Sequence, residues 1–329
     1  MSDELREQAE KNRILEIVSG SHLYGTSTPT SDKDYVGVFM PPKEYVIGLK
    51  SVQEVDIGIK DKNEDGKNTQ DAVDRKLYEY RKFLNLALGS NPNIIEILFV
   101  NLESIVSCTL VGSELLDSRK LFISKLCMPK FIGYAHSQKH KMIIRRDHFN
   151  ELRLAYQELE KYDHKNVMVE VYNECTTQYF PDGQANGEPL FWKKDTGHHI
   201  HCGDLCFEPS VYVKKAREIL KDRLDKATNR SELVLKYGFD VKFASHLIRL
   251  LMEGLWLLEN GELVFPLPFA DVIKDIKAGK WEIGQVVELA DKLEERMEET
   301  AARSKIPKVP NYNAIEAMCM RHMDLWIRQ

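Results

Sequence analysis

The chain has 329 residues and a net charge of −5, long enough for two domains or one large one. Its 43% hydrophobic and 29% charged residues are ordinary for a globular protein that buries a core without staples. The acidic balance excludes a globally basic nucleic-acid binder, so a nucleic-acid partner would have to meet locally concentrated positive charge. The six cysteines (Cys108, Cys127, Cys175, Cys202, Cys206 and Cys319) are scattered. The first residues, MSDELREQAEKNR, are charged rather than leader-like, and no apolar run approaches the ~18 residues that span a bilayer. The expectation is a cytoplasmic protein with reduced thiols and no membrane partner.

Residues 2–12 read as a polar helix and 13–18 (RILEIV) as a strand that stops at Ser19-Gly20. Ser21 stands near the cap of a brief helix, and TSTPTS is a loop by composition. DKDYVGVFM alternates as a second strand, ended by Pro41-Pro42, and KSVQEVDIGIK reads as a third. Residues 61–71 form a polar connection to a further strand, AVDRKLY, and EYRKFLNLALG is a helix that stops at Gly89. In 91–99, NPNIIEILF, Asn91 and Asn93 suit caps, and Glu96 is the one acid in an apolar helix. From 113 onward the periods are mostly helical: 113–124, 129–162, 210–225, 239–260, 283–302 and 312–328. The fold class expected is α+β, an N-terminal module of residues 1–108 followed by a mainly helical region, 109–329. An irregular insertion rich in His and aromatics, with short strands, falls at about 163–209.

The chemistry concentrates in GSHLYGTSTPTSDKDYVGVF, residues 20–39. A Gly-Ser turn between a strand and a helix offers backbone N–H groups to a phosphate, and Ser21 adds a hydroxyl. Asp32 and Asp34, two apart on a predicted strand, would share a face roughly 7 Å apart. Two such carboxylates suit a hard divalent cation, and Mg²⁺ also grips substrate phosphates. In a two-metal site a third carboxylate usually completes the cage.

Gly20-Ser21, a ten-residue spacer and Asp32-Lys33-Asp34 resemble the signature of the DNA-polymerase-β-like nucleotidyltransferase superfamily. Together with YEYRKFLNLALGSNPNIIEILF, FIGYAHSQKHKM and KFASHLIRLLMEGLWLLENGEL, they resemble its RNA-ligase-associated branch, found in bacteria and phages. The resemblance spans roughly residues 13–290. It implies a polymerase-β-like palm in residues 1–108, a mixed sheet flanked by helices, with a substrate- and nucleotide-binding region after it. It also implies an NTP donor, two Mg²⁺ ions (Mn²⁺ as a substitute), and transfer of a nucleotidyl group to a hydroxyl with release of pyrophosphate. By position, Gly20 and Ser21 hold the triphosphate, and Asp32 and Asp34 ligate metal. For the third acid the branch favours Asp74, just before LYEYRKFL, over Asp56 on the preceding strand, and Asp71 in the polar connection is less favoured. RNA, as a repair or tRNA 3′ end, is the expected acceptor. A protein hydroxyl (AMPylation), a small-molecule hydroxyl and a non-catalytic nucleotide sensor stand as alternatives.

Other constellations bear on substrate. Lys82 in RKFLNLAL lies either under the phosphates or on a solvated helix face, and Asn93 or Glu96 either beside the nucleotide or in a capping role. The basic run GYAHSQKHKMIIRRDH, 133–148, puts His136, Lys139, His140 and Arg146 near one helical face, suited to a triphosphate or an RNA backbone. Lys242, His246, Arg249 and Glu253 form a polar stripe on an amphipathic helix, which the resemblance assigns to the cleft. His198, His201, Cys202 and Cys206 are zinc-ligand types, but their spacing fits no standard pair. Tyr172, Tyr179, Phe180, Phe191 and Trp192 either stack on a base or form a small core.

Overall fold

The computed structural model describes residues 3–29, 31–59, 73–181, 186–195, 197–225, 233–234 and 236–328, with the side chains of 144 and 145 left out. The polar connection of 61–71, with Asp71, lies outside the described residues. The chain opens with helix α1 (Asp3–Lys11), strand β1 (Arg13–Ser19), short helix α2 (Gly20–Tyr24) and strand β2 (Asp34–Phe39). There follow α3 (Lys43–Val46), β3 (Glu54–Asp56), β4 (Asp74–Glu79), α4 (Tyr80–Leu88), α5 (Pro92–Leu98), β5 (Ile105–Cys108) and α6 (Leu110–Asp117). Next come α7 (Cys127–Glu158), α8 (Met168–Glu174), hairpin strands β6 (Gln178–Tyr179) and β7 (Glu188–Pro189), a second hairpin of β8 (Ile200–Cys202) and β9 (Leu205–Phe207), and α9 (Val213–Asp225). The chain ends with α10 (Val241–Asn260), α11 (Ala270–Lys277), α12 (Ile283–Arg303) and α13 (Tyr312–Arg328). No helix among the described residues is long and apolar enough to cross a membrane.

The five-stranded sheet has the order β3-β4-β2-β1-β5. β2 runs parallel to β4, and the other three pairs are antiparallel. The expected α+β class with a mixed sheet followed by helices is what the chain forms.

Alternation along the strands separates two faces. On one, α1 lays Leu5 and Ala9 on Phe39, Val55 and Leu77. Glu16 is buried on this side, and Arg75 holds it with two hydrogen bonds, from Nε at 2.5 Å and Nη2 at 3.0 Å. Arg75 reaches β1 across the intervening β2, where the residue in register with Glu16 is Gly37. A Cβ on Gly37 would crowd the Leu15 carbonyl and the Leu77 side chain. The opposite face carries Asp34, Val36, Asp74, Lys76 and Tyr78 toward α2 and α5.

Local chemistry sets where the helices begin. Glu79 ends β4 and caps α4 by accepting the Lys82 backbone N–H at 2.9 Å. Tyr80, Phe83, Leu84 and Ala87 then fall on one buried stripe. Asn91 caps α5, with Pro92 in its first turn. The C-terminal α13 docks through buried His322, which hydrogen-bonds Tyr80 Oη at 2.6 Å and Glu114 at 2.9 Å. The His322 bond is the leading cause that holds the Glu114 carboxyl below its usual range.

The chain divides into two compact units that interleave in sequence, whereas the sequence suggested one boundary at 108/109. Residues 1–135, 248–275 and 287–329 form the first, and 136–247 and 276–286 the second. β5, at that expected boundary, pairs with β1 as an edge of the sheet. The second unit has its own core, built on Leu152, Leu159, Val171, Phe191, Ile200 and Phe207.

Candidate active site

The first unit holds a cleft of about 490 Å³ on the face of the sheet opposite α1. Asp34, Asp56 and Asp74 line it, with Gly20 and Tyr24 from α2 and Asn93 and Glu96 from α5. In the parallel β2/β4 ladder Asp34 and Asp74 are direct register partners. Adjacent strands lie ~4.8 Å apart, so both carboxylates leave one face side by side. Asp56 follows on the next strand, in register with Lys76.

The two basic residues of the wall are engaged elsewhere. Lys76 donates to Glu54 at 3.0 Å, and this bond is the leading cause that raises its ammonium pKa. Arg75 sends its guanidinium to Glu16 and Glu10 on the far face. The cleft face is therefore acidic where Asp34 and Asp74 meet. Paired carboxylate oxygens are the donors that a hard divalent cation takes. Among the described residues no three His, Cys, Asp or Glu side chains converge as a complete cage, so Asp34 and Asp74 are the acidic pair the ladder itself aligns.

Gly20 is built into this wall. Its φ of +64° suits glycine, and a Cβ there would lie 2.5 Å from Asp34 Oδ2. Ser19 Oγ donates to the Asp34 carbonyl at 3.3 Å, and His22 Nε2 sits 3.3 Å from the Ser31 carbonyl, so Ser31 lies beside α2. Gly20→Ala is expected to cost about 1–2 kcal/mol of stability, through left-handed strain, and to displace the Asp34 carboxylate. Urea unfolding combined with a nucleotide-turnover assay checks this, and the activity loss should exceed what the stability loss explains.

The motif residues are placed unevenly. The strand expected to carry both Asp32 and Asp34 begins only at Asp34. The β1 ladder ends at the Ser19–Asp34 pair, where Gly20 turns the chain into α2, and the β4 ladder also begins at Asp34. Asp32 therefore lies in the exposed loop end and does not line the cleft, so the shared strand face expected for the two aspartates is not formed. Ser21 is the second residue of α2 rather than its cap, which is Ser19. Ser19 and Gly20 line the cleft and Ser21 does not. Lys82 is half-buried on α4, away from the lining.

The stripe on α10 divides. Lys242 and His246 are exposed and belong to the second unit, as do Lys139 and Arg146 on α7. Arg249, expected to meet nucleotide, is instead buried in the first unit and pairs with Glu96 and with Glu253. The alternation of the β8/β9 hairpin sets Cys202 on the face opposite His201 and Cys206. Cys202 points into the core, where burial pushes its thiol up, while His201 and Cys206 face each other across the ladder. His201 stacks on Trp192 at 4.5 Å, and Phe191 and Tyr172 pack in the core of the second unit.

Tyr24, Lys76 and Tyr78 line the cleft and were not anticipated. Asp74, Lys76 and Tyr78 are alternate residues of the predicted strand, a signal that would have found the latter two once Asp74 was placed on the cleft face.

No solved structure matches the chain. It is similar to an uncharacterized 38.9 kDa protein of the nrdC-mobD intergenic region of Enterobacteria phage T4, 27% identical over 306 residues, which cover 87% of this chain and 88% of the phage protein. The family described as RlaP, RNA repair pathway DNA polymerase beta family, matches residues 2–165, from α1 through the sheet and cleft into the segment after α7. Through those residues the chain belongs to the RNA repair pathway DNA polymerase beta family, and it is a polymerase-β-like nucleotidyltransferase.

Proposed function

We propose that the protein transfers a nucleotidyl group from an NTP to an RNA 3′-hydroxyl, with Mg²⁺ as its metal. The observation that carries this reading is the in-register pair Asp34 and Asp74 on the cleft face, beside the Gly20 turn. The family's RNA repair description supports RNA as the acceptor.

In the reaction the acceptor oxygen attacks the α-phosphorus, the bond from that phosphorus to the bridging oxygen breaks, and pyrophosphate leaves while the hydroxyl proton goes to solvent or a carboxylate. Polymerase-β-like nucleotidyltransferases typically use divalent metals. When bound, such a cation offsets the triphosphate charge and lowers the pKa of the attacking hydroxyl. Asp34 and Asp74 would hold it, with Asp32 joining from the loop end and Asp56 the other acid on that face. The Gly20-Ser21 turn takes the triphosphate through its backbone N–H groups. Lys139, Arg146, Lys242 and His246 are proposed contacts for RNA phosphates.

The acceptor is tested by incubating the protein with α-³²P-labelled NTPs, Mg²⁺ and separated RNA, protein and metabolite fractions. Label is expected in RNA, at 3′ ends. Label confined to protein would instead establish AMPylation, and NTP binding without turnover would make the protein a sensor.

A further inference from the structure

Helix α2 carries the Gly-Ser turn yet has only five residues, too few to hold its own shape in water. Its position therefore depends on ties to the rest of the first unit. One lies at its C-terminal end, where Gly25 adopts φ +72° and the Tyr24 carbonyl accepts the Leu267 N–H at 3.2 Å. Another is a buried cluster of charge. Tyr24 Oη donates to Glu96 Oε2 at 2.6 Å. Arg249 Nη1 donates to Glu96 Oε1 and, at 2.8 Å, to Glu253 Oε2. The guanidinium also lies over the Tyr24 ring, 4.3 Å from its centroid.

Glu96, Arg249 and Glu253 are each at most 5% exposed. Two carboxylates share one guanidinium, and burial pushes the Glu253 carboxyl well above its ordinary range. Burial likewise holds the Tyr24 phenol protonated, a standing donor to Glu96. Apolar side chains would often fill such a space at no loss of stability. Ion pairs here do something packing cannot: they fix the direction of Tyr24 at the cleft wall, which both Tyr24 and Glu96 line.

We propose that Arg249, backed by Glu253, is a positioning residue for the triphosphate cradle: it locks Glu96, Glu96 locks the Tyr24 end of α2, and α2 thereby holds Gly20 against Asp34. Arg249 itself does not touch the nucleotide. The proposal rests on the nucleotidyl-transfer reading of the cleft.

The test measures equilibrium binding of ATP with Mg²⁺, melting temperature and amide exchange for wild type, Arg249→Met, Arg249→Lys and Tyr24→Phe. Arg249→Met is expected to weaken ATP binding about tenfold well below its melting temperature, because small misplacements of positioning groups are costly. Tyr24→Phe, which keeps the ring and loses one hydrogen bond, should weaken it about threefold. Arg249→Lys should recover part of the loss by restoring the charge. Exchange in residues 19–25 should quicken more than in 13–18 in Arg249→Met. A purely structural role would lower the melting temperature and leave ATP affinity unchanged, which would overturn the proposal. Should Arg249→Met fail to fold, unchanged affinity in Tyr24→Phe would overturn it equally. Wild type that binds no ATP would overturn the nucleotide reading and this role in it together. Wild type that binds ATP with unaltered exchange and affinity in the variants overturns the positioning role alone.

Discussion

Replacing Asp34 or Asp74 with asparagine is expected to abolish nucleotidyl transfer and leave the fold intact. The two residues face each other in register at the open end of a parallel ladder, on the cleft wall beside Gly20. Asparagine keeps the volume and removes the charge that a cation needs. The loss of one such ligand is put at about 4 kcal/mol of transition-state stabilisation, or roughly 10³-fold in rate. Neither substitution removes a core contact, so urea midpoints should stay close to wild type or rise slightly as like charges separate. Asp56→Asn is the informative control, since Asp56 lies on the same face one strand further out. A smaller loss there than in Asp74→Asn assigns the third acid to Asp74; the reverse order assigns it to Asp56. Turnover retained in both Asp34→Asn and Asp74→Asn would remove the cleft from the reaction.

Arg75→Met should produce the largest stability loss among the sheet substitutions. Glu16 is 1% exposed, and Arg75 holds it bidentately while its Nη1 reaches Glu10 at 2.6 Å. Removing one partner of a buried pair leaves an uncompensated charge, which costs about 3–5 kcal/mol in general. Here Arg13 Nη1 remains 3.2 Å from Glu16, and Arg75 itself is a quarter exposed, so about 2–3 kcal/mol is expected. Urea unfolding reads this directly. The double substitution Glu16→Gln/Arg75→Met should recover much of the loss, because the stranded charge goes with its partner. Additive losses would show that Arg75 stabilises by packing alone.

The parts of the fold legible in the sequence were those with a local cause. The strand before Gly20, the strand ending at Pro41, the Gly89 stop and the long helices from 127 onward all follow from periodicity, caps and breakers. α8 falls in the 163–209 stretch read as an irregular insertion; it buries Met168 and Val171 at helical spacing, and the Glu170 carboxylate holds its start by accepting the Val167 N–H at 3.0 Å. α11 lies in a stretch read without a period. Gly20 and Asp34, read from spacing, and Asp74, read from the resemblance, line one cleft. The site was not legible where long-range pairing decided it. Asp32 falls off the strand because both ladders end at Asp34, a fact of register between segments far apart in sequence. Arg249 reads as a cleft residue by its stripe, and only the fold reveals Glu96, 153 residues away, as its partner. Lys76 and Tyr78 could be read only after the cleft face of β4 was known.

The most direct test of the account is a crystal structure of the protein with a non-hydrolysable ATP analogue and Mg²⁺. The account predicts a triphosphate over the Gly20 turn and a cation bound by Asp34 and Asp74. A triphosphate seated elsewhere, or a cation that engages neither carboxylate, would contradict it.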